Sequence, residues 1–215
     1  EYGQAMSGIV NIVTRDGDNR FSGGIRSFFG DYLTTNDDLF WNLGSVSPTA
    51  VRNIEGDFSG PIKKEKLFFN TSIRYFANDG HIYGRRVFEP QDVGVDATGR
   101  LTLLNPSGSG DSTYASLNPY EKLSRQGKLT WKLGNLKFAL TGIASREDFR
   151  GGGNTQDLFF MPEVRVPETK DAFTTFFKVT HTLSASTFYE LGITRTSTSF
   201  ESWLYDDPFD PRYLD

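Results

Sequence analysis

Stretches of apolar alternation in this 215-residue chain are joined by connections of two lengths, taken in turn. Short links of small and polar residues fall at 61–66, 134–135 and 183–186. Long excursions rich in aromatics and Asp run over about 31–50, 78–120 and 147–168. A meander that turns tightly at one end of its strands and loosely at the other is sided, because every long loop gathers on the same rim. That constraint, with a side-chain period of two, leaves few architectures open.

Seven segments carry the alternation. The first, 20–30, sets Phe21, Gly23, Ile25, Ser27 and Phe29 against Ser22, Gly24 and Arg26. The second, 51–60, sets Ile54, Gly56 and Phe58 against Asn53, Glu55, Asp57 and Ser59. The third, 67–76, sends Leu67, Phe69, Thr71, Ile73 and Tyr75 one way and Asn70, Ser72 and Arg74 the other. Segments 123–133, 136–144, 172–183 and 187–197 continue the pattern, with Leu129, Trp131, Phe138, Leu140, Phe177, Val179, Leu191 and Ile193 on the apolar side. Leu133-Gly134-Asn135-Leu136 is a tight-hairpin signal. Residues 105–116, rich in Ser and Gly, read as a flexible loop. Gly23 and Gly24 read as curvature devices in the first strand.

A row of acids on one strand face is costly in a dry core and cheap in a wetted one. Hydrophobic residues make up only 37% of the chain, and no run approaches the roughly 18 apolar residues of a spanning helix. A barrel escapes that test, since only alternate residues meet lipid. The expected fold is therefore all-β: an antiparallel transmembrane β-barrel with long extracellular loops, in the outer membrane of a Gram-negative bacterium. Aromatics at 14% suit its interfacial girdles. Seven strands do not close such a barrel, so it is expected to be partial. Net charge of -4 gives no footprint for nucleic acid, and without Cys there are no disulfides or thiolate metal sites. Glu1-Tyr2-Gly3 lacks the basic and apolar regions of a signal peptide, and the expectation is that the sequence starts inside a longer polypeptide.

Residues 1–17, EYGQAMSGIVNIVTRDG, resemble the final plug segment of TonB-dependent outer-membrane receptors. Ser59-Gly60-Pro61-Ile62-Lys63-Lys64-Glu65-Lys66-Leu67-Phe68-Phe69 is similar to the first periplasmic turn of the Oar-like branch, whose members carry a carboxypeptidase-regulatory-like domain. Ser59 stands where that branch more often has Gly. His181 to Glu190, HTLSASTFYE, is similar to a later hairpin of the same branch. The resemblance implies a plug end over 1–18 and the first part of a barrel over 19–215, about seven of roughly 22 strands. It implies a receptor that takes a ligand at the cell surface and imports it when TonB pulls on the plug. TonB would act through a region outside this sequence, outer-membrane lipid and lipopolysaccharide would surround the wall, and no cofactor is implied.

Candidate ligand contacts are the loop aromatics Phe40, Trp41, Phe159, Phe160 and Trp203, with the basic cluster Tyr83, Arg85 and Arg86. Rings there can stack on a sugar or grip a peptide; they can equally anchor loops. The two arginines suit an anion or lipopolysaccharide phosphates, or a solvated pairing with Glu89 or Asp92. Plug–wall contact is expected at Gly8, Asn11, Arg26 and Arg74; Ser22, Asn70, Lys128 and Lys132 are expected on the same inner face. Asp206, Asp207 and Asp210 lack the spacing of a calcium loop, so no metal is assigned. No enzyme is expected: His81 and His181 stand outside any catalytic motif, and Glu147-Asp148 alone does not make a glycosidase pair. The alternatives are an adhesion or scaffold barrel without transport, and a soluble carbohydrate-binding β-sandwich. In the sandwich, Phe69, Ile73 and Phe138 would pack against an opposing sheet. Siderophore, oligosaccharide and peptide stay open as ligands.

Overall fold

The computed structural model describes residues 14–36, 38–150, 159–203, 205, 207 and 209–211. Its strands are β1 (Ser22–Gly30), β2 (Val51–Lys63), β3 (Leu67–Asn78), β4 (Tyr83–Arg85), β5 (Val93–Val95), β6 (Leu101–Leu103), β7 (Tyr114–Ser116), β8 (Tyr120–Leu133), β9 (Leu136–Arg150), β10 (Pro167–Ser184) and β11 (Thr187–Ser202). The chain is all-β, and seven strands form one antiparallel sheet in the order β1-β2-β3-β8-β9-β10-β11. Each of the seven alternating segments is one of these strands. The four short strands belong to the long loop between β3 and β8. They pair as two small hairpins, β4 with β7 and β5 with β6. β1 and β11 are the sheet's two edges and do not pair with each other, so among the described residues the sheet is open.

Three tight turns lie at one end, after β2, β8 and β10, and the long loops lie at the other. Gly134 sits at φ +57°, the left-handed conformation that a two-residue hairpin demands. Glu65 adopts φ +63° in the β2–β3 turn without being glycine, and its amide donates to Asn19 Oδ1 at 2.7 Å.

At the loop end the strands outrun their apolar alternation. β9 continues to Arg150 rather than stopping at 144, β10 begins at Pro167 rather than 172, and β8 begins at Tyr120 rather than 123. Cross-strand polar pairs take over there. Lys122 meets Glu147 at 2.8 Å, Thr169 donates to Asp148 at 2.7 Å, and Arg146 reaches Asp171 at 3.8 Å. Backbone pairing needs no apolar face, so alternation under-reports its length.

The register assigns each side chain to a face. Ser22, Ser59, Asn70 and Lys128 stand in one cross-strand row, and Arg26, Glu55, Arg74 and Ser124 in another four residues along. The opposite face carries Ile25, Gly56 and Ile73 in one row, and Phe69, Leu129, Leu140, Phe177 and Ile193 in another. Among the described residues no second layer covers it. Ile25 is 84% exposed, Ile193 72%, Leu191 64% and Ile73 52%; Ile54, Phe58, Leu129, Trp131, Leu140 and Phe173 are exposed with them. Buried positions are instead mostly polar or small, among them Asn53, Ser59, Thr130, Thr141 and Ala139, which lie on the polar face. This inverts the usual soluble arrangement.

Above that apolar band the outward face becomes charged, along a slanted border. Climbing from the tight turns, the lowest outward charge is Arg52 on β2 and Arg195 on β11. Arg52 shares its row with Ala77, Glu121, Asp148, Thr169 and Glu201, so Arg195 lies 201 − 195 = 6 residues lower. On β8, β9 and β10 the lowest charges of that face, Arg125, Arg146 and Asp171, lie four, two and two residues below the Arg52 row, within three residues of a line joining the two ends, and β3 carries none.

Candidate functional site

Two places on this frame gather polar and aromatic side chains: the loop layer above the sheet, and the polar face near the tight turns.

The loop layer is built around Asp92, which is 2% exposed at the end of the short 3-10 turn Pro90–Asp92. Its Oδ2 accepts from the Glu89 amide (2.9 Å), the Ser109 amide (2.7 Å) and Ser109 Oγ (2.8 Å), and its Oδ1 from Asn105 Nδ2 (3.0 Å). The Glu89 bond outweighs the opposing effect of burial and, with those from Ser109 and Asn105, holds the carboxyl at about 2. Residues 105–116 are therefore not a loose loop. Gly110 and Ser112 donate to Val87 and Arg86 carbonyls at 3.0 and 2.8 Å, and β7 closes the segment. Composition misleads here because the bonds that fix the segment reach 13 to 27 residues along the chain.

Three of the aromatic candidates meet. Trp41 lies 5.7 Å from the Phe159 ring and 5.9 Å from that of Phe160, and a fourth ring, Tyr114, stands 6.2 Å away. One long loop after β1, one after β3 and one after β9 thus contribute to a single cluster. Backbone bonds fix it, since Arg85 donates to the Phe159 carbonyl at 2.6 Å and Phe88 to that of Phe160 at 3.0 Å. Tyr114 and Phe160 are exposed, so the cluster has an open side. Tyr114 could not be singled out from sequence, since it is one Tyr in a Ser- and Gly-rich stretch.

The other candidates are distributed around it. Tyr83, Arg85 and Arg86 surround Gly84 on β4 and just after. Arg85 lies opposite Tyr114 and donates to the Ser112 carbonyl at 3.3 Å. Arg86 pairs with Asp111 at 2.9 Å and Thr113 Oγ1 at 2.9 Å, rather than with Glu89 or Asp92. Burial, with Asp79 and Asp31 nearby, pushes the Tyr83 phenol up, against a hydrogen bond with Asn42. Phe40 is exposed on the same loop as Trp41. Trp203 is exposed just past β11, apart from the cluster. His81 is taken up structurally, 5.1 Å from the Tyr32 ring and 3.1 Å from Asn118 Nδ2.

On the polar face, residues 14–19 lie against the wall beside the tight turns. Asp16 is held at 2.6 Å by Lys128 Nζ and 2.5 Å by Lys137 Nζ, and accepts from Thr130 Oγ1 at 3.1 Å. Lys128 also donates to the Thr14 carbonyl at 2.8 Å. Burial alone would raise the Asp16 carboxyl; the hydrogen bonds and charges of the two lysines outweigh it and hold it at about 2. Gly17 passes so close that a Cβ there would stand 2.3 Å from the Phe69 carbonyl oxygen. The docked segment covers Phe68, 3% exposed, which alternation puts on the polar side. An open groove of about 720 Å³ continues from Asp16 past Thr141, Lys178 and Glu190.

Of the expected plug–wall contacts, Gly8 and Asn11 lie outside the described residues. Arg26 pairs within the wall with Glu55 (3.1 Å) and Asp57 (3.6 Å), and Arg74 donates to Asn53 Oδ1 at 2.6 Å. Lys128 was legible as a polar-face residue. Asp16 was not, because Asp16-Gly17-Asp18-Asn19 reads first as a turn.

No protein-family model, no curated protein and no solved structure matches this chain.

Proposed function

We propose that this chain is wall and plug end of a TonB-dependent, Oar-like outer-membrane receptor, with the apolar face of its sheet turned to lipid and the polar face to the lumen. The observation that carries this reading is the uncovered apolar face. About a dozen large side chains at roughly half exposure amount to about 1,000 Å², well beyond the roughly 300–600 Å² of the largest patch on a soluble monomer. In hydrocarbon that face costs nothing, and in water it would drive association.

The slanted border supports the same placement. Six residues at about 3.3 Å each is roughly 20 Å, and the five strand steps from β2 to β11 at about 4.8 Å span roughly 24 Å. A flat boundary crossing the sheet on that slope implies strands tilted by about 40°, the tilt of transmembrane barrels. From Phe173 to Leu183 the apolar face of β10 runs about 33 Å, which at that tilt projects to roughly 25 Å, the height of an outer-membrane apolar band.

The loops above the border form the cell-surface side, where the Trp41 cluster takes the ligand. Residues 14–19 act as the last stretch of the plug, latched by Asp16. Import driven by TonB is the function this arrangement serves, and no enzymatic step is assigned. A sandwich with Phe69, Ile73 and Phe138 between two sheets finds no support, since among the described residues no second sheet faces them.

Expression of the intact protein in a Gram-negative host tests this. The expected result is recovery in the outer membrane, extraction only by detergent, and ligand uptake that is lost without TonB. Monodisperse protein in the soluble fraction would end the membrane reading. Membrane-bound protein with TonB-independent binding would favour the adhesion or scaffold alternative.

A further inference from the structure

We propose that the loop layer holds an anion-receiving site centred on Arg165, which takes a carboxylate or phosphate group carried on a flat apolar body. The inference deepens the reading of this layer as a ligand surface and does not depend on the wall crossing a membrane.

Arg165 is 8% exposed, and its Nε and Nη1 have no hydrogen-bond partner among the described residues. Buried guanidinium groups ordinarily spend their donors on carboxylates or carbonyls, and an unpaired buried charge is among the most expensive features a fold can carry. Two acids of the loop layer are engaged elsewhere: Asp92 by the Glu89, Asn105 and Ser109 donors, Asp111 by Arg86. Arg165 is also fixed in place. Its amide closes the turn Pro162–Val164 by donating to the Pro162 carbonyl at 3.2 Å, and Pro162 is fully buried.

That turn packs against β7, which supplies a second orphan: Ser116 Oγ is shielded from solvent and has no partner. Ser116 and Tyr114 share one face of β7, opposite Tyr83 and Arg85 on β4. Phe159 and Phe160 precede Arg165 in its own loop and meet Trp41 with Tyr114. Two unused donors and a platform of rings therefore lie in one layer. The donors match an oxyanion, and the rings match an apolar or aromatic body attached to it.

Calorimetric titration of the intact purified protein with benzoate, phenyl phosphate, inorganic phosphate and neutral benzamide tests this. Benzoate or phenyl phosphate should bind and benzamide should not, and the tighter of the two anions identifies the oxyanion preferred. R165M should weaken the bound anion about 100-fold. Trp41→Leu should weaken the phenyl-bearing anions about fivefold and leave inorganic phosphate unchanged. Should R165M fail to fold, Ser116→Ala removes a single hydroxyl and should weaken the anion several-fold. Benzamide binding as tightly as benzoate, no anion binding at all, or affinity unaltered in whichever of R165M and Ser116→Ala folds would overturn the proposal. Failure of the membrane reading would show in fractionation and leave these titrations intact.

Discussion

In the wall, seven strands hold register through backbone ladders while Ile25, Leu191 and Ile193 stand out from the sheet, each more than 60% exposed. In the loop layer above, Asp92 and Leu117 are buried, the latter completely, among partners far away in sequence. The wall is ordered by repetition and the loops by a few specific contacts. On the proposed reading the wall's apolar face meets lipid and the loops meet a ligand, which separates stability from binding along the strand axis. A change that breaks one region should leave the other readable.

The largest effect is expected on the outward face. Leu191→Arg puts a charge well inside the apolar band, two outward positions below Arg195. It should cost about 2–4 kcal/mol of folding stability in lipid bilayers, measured by denaturant titration. Thr194→Arg, on the same strand and on the polar face, should change it by less than about 0.5 kcal/mol. Equal effects at the two positions would dissolve the distinction between faces.

Next comes the loop layer. Asp92→Ala strands the amides of Glu89 and Ser109 and should loosen residues 87–112, lowering their hydrogen-exchange protection by an order of magnitude or more. Protection of β8 to β11 should not change. A loss spreading into the wall would mean that the two regions fold as one unit.

A smaller effect is expected at the docked segment. Asp16 ionises at about 2 when folded, below its ordinary 3.8, so its contribution is complete above about pH 4 and is lost as pH falls toward 2. With a third of its side chain exposed, screening leaves about 1 kcal/mol. Asp16→Asn should remove that much near neutral pH and flatten the acid limb between pH 4 and 2, read from exchange of the 14–19 amides. Smallest of all, Glu65→Gly relieves a left-handed conformation and should stabilise the β2–β3 turn by about 0.5–1 kcal/mol.

How much of this was legible in the sequence divides along the same line. All seven wall strands could be read, because period-two alternation is a local signal that every strand repeats. Their loop-side ends could not, because Lys122–Glu147 and Thr169–Asp148 pair across strands without any apolar pattern. In the loops, Trp41, Phe159 and Phe160 could be named as exposed rings. Their meeting could not be foreseen, since it joins residues 118 and 119 positions apart (159 − 41 and 160 − 41). Arg165 left no mark at all, because an orphaned donor is a property of burial. The Asp16 latch stayed hidden behind a plausible turn signal, although its partner Lys128 was assigned to the correct face.

The chain's lack of cysteine allows the central claim to be tested one residue at a time. Single cysteines placed at 190 to 194 of the intact, membrane-inserted protein and spin-labelled there would report contact with dissolved oxygen, enriched in lipid, and with a water-soluble nickel chelate. The account predicts a period of two, with oxygen contact highest at 191 and 193 and nickel contact highest at 190, 192 and 194. Nickel contact that is uniform across all five positions would contradict it.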